Sequence, residues 1–139
     1  MKTHVEFRSD AFPPYPGEEE EINPGVWGKR LAEFIHEGLK AQGFDVIEPA
    51  AEDWGWMVEI RNDAFPLWIG CGNQDGEPDG FLCFIEPSTP FVRKFLFKKI
   101  STENEVTKVR SGLEKILYHE DSITDIRWWS KEEFSGEIR

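Results

Sequence analysis

Cysteine is scarce in this 139-residue chain: Cys71 and Cys83 are the only two. Neither a CxxC pair nor a Cys/His zinc spacing occurs, which excludes a disulfide scaffold and a zinc module. Basic residues are also short, 16 against 27 acidic for a net charge of -11, so the mean potential repels phosphate backbones and anionic membranes. Nucleic acid is not an expected partner. No run approaches the roughly 18 apolar residues of a membrane span and "MKTHVEFRSD" has no apolar leader core, so we expect a cytoplasmic chain without stable membrane insertion. No serine is framed as GxSxG, no GxGxxG follows a strand pattern, and "GVWGKR" lacks the ending of a phosphate-binding loop. Acyl transfer and nucleotide chemistry therefore have no warrant, and no cofactor is implied.

What is present is apolar and aromatic. Hydrophobic residues make up 39% and aromatics 14%, enough to offset the ordering entropy despite the charge, in a length that suits one domain over residues 1–139. "THVEFR" alternates as a half-buried strand, and the proline- and glutamate-rich segment after it reads as a surface loop over about 9–23. Asn23 and Pro24 predict a helix start, with Trp27, Leu31, Phe34, Ile35 and Leu39 on one face and His36 opposite, facing solvent. "FDVIEP" reads as an edge strand. "WGWMVEIRN", "FPLWIGCG" and "GFLCFIEP" read as three consecutive strands, the last two joined by a connection at about 73–80. "STPFVRKFLFKK" fits a helical turn and a strand equally well. Thr102 and Glu105 predict a capping box opening a second helix that ends near His119, and "SITDIRWW" a last strand. The order β-α-(β)-β-β-β-α-β predicts an α+β fold: a mainly antiparallel sheet of about five or six strands with two amphipathic helices on one face.

Four groups of residues invite a functional reading. "DGEPDGFLCFIE" puts Asp75, Glu77, Asp79 and Glu86 at spacings resembling a calcium loop, but its flanks carry strand patterns where helices are required. It is read as a hairpin connection, and its midpoint places Cys71 opposite Cys83 as two buried thiols. Glu52 and Asp53 beside "WGW" offer the alternative of an acid or base in an aromatic-walled pocket lined by Trp54, Trp68 and Phe84. The sheet face opposite the helices bears Met57, Trp68, Leu82, Phe84 and Trp128 or Trp129, where a face open to water would be polar. Its expected cover is the proline-rich loop (Phe12, Pro13, Pro14, Tyr15), "FVRKFLF", a second copy in a homodimer, another protein, or a ligand. Arg93, Lys94, Lys98 and Lys99 cluster around phenylalanines in an otherwise acidic chain, a pattern suited to docking.

With no assembled catalytic set, the chain is read as a non-enzymatic binding protein for another, basic, protein. Small acidic immunity and inhibitor proteins share this composition. Contacts are assigned to Tyr15, Glu18, Glu19, Glu20, Glu21, Trp54, Trp68, Phe84 and Trp129.

Overall fold

A computed structural model describes residues 1–74 and 76–136. Six strands form one antiparallel sheet: β1 (Lys2–Arg8), β2 (Ala50–Glu52), β3 (Gly55–Ile60), β4 (Leu67–Asn73), β5 (Gly80–Glu86) and β8 (Thr124–Ser130). Their order across the sheet is β2-β3-β4-β5-β1-β8, so β1 lies between β5 and the edge strand β8. The long helices α2 (Lys29–Ala41) and α3 (Glu103–Tyr118) pack on one face, as the α+β reading expects. The remaining elements are α1 (Glu18–Glu21), α4 (Lys131–Ser135) and a separate hairpin of β6 (Phe91–Lys94) and β7 (Lys98–Ser101).

Alternation along the strands sorts the side chains. Val5, Phe7, Trp56, Val58, Ile60, Leu67, Ile69, Cys71, Phe81, Cys83 and Ile85 are buried toward the helices. They meet Leu31, Ile35 and Leu39 of α2 and Val106, Val109, Leu113 and Leu117 of α3, all in one core. The paired thiols fall as the hairpin reading expects: Cys71 and Cys83 are cross-strand partners, unbonded, with Sγ atoms 3.9 Å apart. The hydrogen bond to Cys71 and burial push the Cys83 thiol up.

Several expectations are corrected. Asn23 and Pro24 do not open α2: Val26 N–H bonds Asn23 C=O around Gly25 at φ +77, a turn with proline at its second and glycine at its third position. The helix begins six residues after Asn23, and Trp27 reaches the core from the approach to it. His36 is consequently buried, since the stripe runs through Ala32, Ile35, His36 and Leu39 rather than back to Trp27. "FDVIEP" contributes a single bridge, Val46 to Ile60, and the edge strand is β2 instead. Thr102 precedes α3 without capping it. Its hydroxyl donates to Thr89 C=O and its N–H to Pro90 C=O, closing the root of the β6/β7 hairpin.

The N-terminus of α2 is closed by a carboxylate from another segment. Glu18, only 2% exposed, accepts from Gly28 N–H at 2.7 Å, Lys29 N–H at 2.9 Å and the Trp56 indole Nε1–H at 3.0 Å through one oxygen. Its other oxygen accepts from Tyr15 N–H at 2.9 Å. Neither Gly28 nor any local side chain caps the helix, so this carboxylate supplies the missing acceptor and a negative charge at the positive end of the dipole. Gly28 itself is required by close approach, because a Cβ there would stand 2.7 Å from Cys71 C=O.

Glu18→Ala leaves these buried donors without their acceptor and is expected to cost about 3–5 kcal/mol. A urea midpoint within experimental error of the parent protein would show that the carboxylate is dispensable.

Candidate functional site

The sheet face turned away from α2 and α3 carries an aromatic cluster whose geometry follows from strand register. Glu59 of β3, Trp68 of β4 and Glu86 of β5 are successive cross-strand partners, so Trp68 stands between two carboxylate-bearing positions. The next row runs Met57, Gly70, Phe84, His4 and Trp129. Gly70 leaves the gap that the Phe84 ring fills, since a Cβ there would lie 2.3 Å from the ring. Trp54 leans over this spot from the β2/β3 turn, its ring 5.7 Å from Trp68 and 5.1 Å from Phe84. The turn that aims it depends on Gly55 at φ +151, where a Cβ would stand 2.5 Å from Cys71 C=O.

The aromatic row continues past Phe84. His4 stacks on Phe84 at 5.6 Å and on Phe134 of α4 at 5.2 Å. Helix α4 went unread in the sequence, although Ser130 and Glu133 form a complete capping box. Glu133 also accepts from Lys2 of β1, which ties the helix to the sheet. The face is thus partly covered by the chain itself, through Trp54 and α4. The cover is neither the proline-rich loop nor "FVRKFLF": Phe12 packs with Phe34 and Phe81 on the helix side, and Val92 and Ile100 of the hairpin also meet that core. Trp129 is on the aromatic face and Trp128 on the other. Trp54 stays 40% exposed, so the cluster is open to a visitor.

The expected contact residues divide between two places. Trp54, Trp68 and Phe84 converge, with Trp129 on the same face beyond His4. Tyr15 and Glu18 are held at the start of α2 instead. The Tyr15 ring lies 3.9 Å from the Arg30 guanidinium, and its hydroxyl donates to Glu33 at 2.6 Å, a bond that raises the phenol above its usual range. Glu18 is not available to a partner because its carboxylate is consumed inside the fold, whereas Glu20 and Glu21 are exposed and Glu19 is half-buried. Glu52 and Asp53 are exposed. The described cavities, of about 300 to 390 Å³, are lined by neither of these carboxylates nor by Trp54, Trp68 or Phe84.

The calcium spacing dissolves in three dimensions. Asp75 lies outside the described residues, Glu77 and Asp79 both pair with Arg8 at 2.9 and 2.8 Å, and Glu86 is at the far end of β5, about 20 Å from Gly80. Among the described residues no group of three or more His, Cys, Asp or Glu is placed to hold a metal, and no helix is long and apolar enough to cross a membrane. Comparisons with protein-family models, curated proteins and solved structures gave no match to this chain.

Acid should loosen the α4 side of this face. Burial, reinforced by Lys131, lowers the His4 pKa below 6.5, so the stability it contributes is present above 6.5 and lost as pH falls through its folded value. The hydrogen bond from Lys2, followed by that from the Ser130 backbone, lowers Glu133 from 4.5 to about 2, so its contribution is present above 4.5 and lost toward pH 2. Titration followed by NMR should give a His4 midpoint below 6.5 and release of Phe134 from His4 between pH 4.5 and about 2. A His4 midpoint at or above 6.5 would contradict the buried stack. In a separate test, Gly70→Ala should displace Phe84, cost about 1–3 kcal/mol and change the near-UV circular dichroism of the Trp54/Trp68 pair. An unchanged spectrum would mean that the cluster does not rest on this gap.

Proposed function

We propose that this chain is a non-catalytic binding module that receives a basic segment of another protein on the Trp54, Trp68 and Phe84 face. The observation that carries this reading is the placement of Trp68 between Glu59 and Glu86, with the Trp54 ring exposed beside it. An indole face attracts a lysine or arginine through its quadrupole, and a neighbouring carboxylate completes the charge pairing. Interface anchors are commonly tryptophans within a polar rim, and this cluster has that composition. The overall charge of -11 favours fast capture of a cationic partner, with Glu19, Glu20 and Glu21 adding to the long-range field. A role like that of immunity or inhibitor proteins would use the same surface.

An acid–base role for Glu52 or Asp53 has less support, since both are exposed and neither lines a described cavity. The unbonded Cys71/Cys83 pair suits a reducing compartment, and we place the module in the cytoplasm.

Affinity capture from lysate of the source cells should recover a stoichiometric basic partner at low salt and lose it at high salt. Trp68→Ala should weaken that complex by about 2 kcal/mol, roughly thirtyfold, and Glu59→Lys with Glu86→Lys should slow association and flatten its salt dependence. Equal capture by the parent protein and these variants would move the binding site off this face, and failure to recover any partner would count against a binding module.

A further inference from the structure

The β6/β7 hairpin presents a surface that the folded body does not use. Phe95 is 86% and Leu96 80% exposed at its tip, and Phe91 is exposed lower down. Leu96 sits at φ +58, ψ +43, a left-handed conformation that an L side chain adopts at a cost and that Gly or Asn would take more easily. Turn chemistry alone does not select leucine there. Its presence adds a second exposed apolar side chain beside Phe95 in the turn of the hairpin.

Below the tip the register sets like charges opposite each other. Lys94 pairs with Lys98 and Arg93 with Lys99, two successive cross-strand pairs that repel unless an anion neutralises them. Because strand side chains alternate, the two pairs point to opposite faces, so positive charge encircles the apolar tip. The segment 91–101 contains no acidic residue to offset it. A partner lying against one face would engage only one pair. A plane entered end-on meets the whole collar.

We infer that this hairpin docks the protein onto an anionic phospholipid surface, with Phe95 and Leu96 entering the headgroup boundary and the four basic side chains meeting lipid phosphates and carboxylates. The acidity of the body does not prevent this. Residues 91–101 carry four basic side chains and no acidic one, so the potential at the tip is set locally by the collar, with the acidic side chains lying outside the segment. The attachment is interfacial and reversible, as expected for one small apolar tip with a basic collar.

The test uses the full chain with vesicles of phosphatidylcholine alone or with about 30 mol % phosphatidylserine. Flotation at about 0.1 M salt should recover protein only with phosphatidylserine vesicles, and about 0.5 M salt should release it. Phe95→Ser with Leu96→Ser should lower partitioning about tenfold, and Lys98→Gln with Lys99→Gln about fivefold per charge removed. Because Cys71 and Cys83 are fully buried, a Leu96→Cys variant offers one accessible thiol for an environment-sensitive dye, whose emission should shift to the blue on anionic vesicles. Trp68→Ala should bind vesicles like the parent, separating this site from the aromatic face. No flotation with phosphatidylserine, flotation indifferent to the tip and collar variants, or a dye that does not shift would each overturn the proposal. So would tip-dependent self-association in sedimentation without vesicle binding, which would assign the hairpin to a second copy of the chain.

Discussion

The Glu18 carboxylate is the point at which three segments of this protein are fastened. It takes the amide hydrogens of Gly28 and Lys29 at the start of α2, the indole of Trp56 on β3 and the backbone of the loop that carries Glu18 itself. An ion so thoroughly desolvated is tolerated only when its lone pairs are filled, and here the donors include a helix terminus whose partial charge complements the carboxylate. The proline-rich segment is therefore part of the architecture rather than decoration on it. Once it is fixed, Tyr15 is set between Lys29 and Arg30, Phe12 reaches the core beside Phe34 and Phe81, and Trp56 is oriented at the start of the strand that follows Trp54.

Around this anchored half of the molecule, charge and apolar surface are arranged in two complementary ways. The aromatic sheet face is centred on rings with carboxylates beside them, whereas the β6/β7 hairpin has Phe95 and Leu96 at its tip with ammonium and guanidinium groups beneath. The first is broad and built on the sheet, the second narrow and protruding. They join the body on opposite sides of the sheet, since the hairpin root packs with the helix-side core. A protein held at a surface by the hairpin could thus keep its aromatic face free for another molecule.

Much of the strand framework was legible because period-two alternation is a direct consequence of backbone geometry. It also located Cys71 opposite Cys83, since a hairpin's midpoint sets its register. The start of α2 was not legible in the same way. Pro24 and Gly25 satisfy a turn as readily as Pro24 satisfies a helix start, and the actual cap comes from a residue ten positions before Gly28. His36 depends on the same point: Trp27 precedes the helix and does not mark its buried face, which instead includes His36. In the candidate site, Trp54, Trp68 and Phe84 were found as aromatic residues, but the flanking roles of Glu59 and Glu86 required the register across three strands. Glu18 could not be told from its three neighbours, since four identical residues carry no pattern. The capping box at Ser130 and Glu133 was a readable signal that passed unread.

The position of β1 bears on how the protein is made. Its two neighbours in the sheet, β5 and β8, lie about 80 and 120 residues further along the chain, so neither edge of β1 can be satisfied until those distant segments have been made. On a ribosome adding roughly 5–20 residues per second, Val5 and Phe7 must wait several seconds before a partner strand emerges, and longer for the second. The β3/β4/β5 meander can form meanwhile from local contacts, leaving an open edge on β5 that only β1 completes. The chain therefore passes through a stage with three unpaired hydrophobic strand edges, two on β1 and one on β5, in which mispairing with other extended segments is easiest.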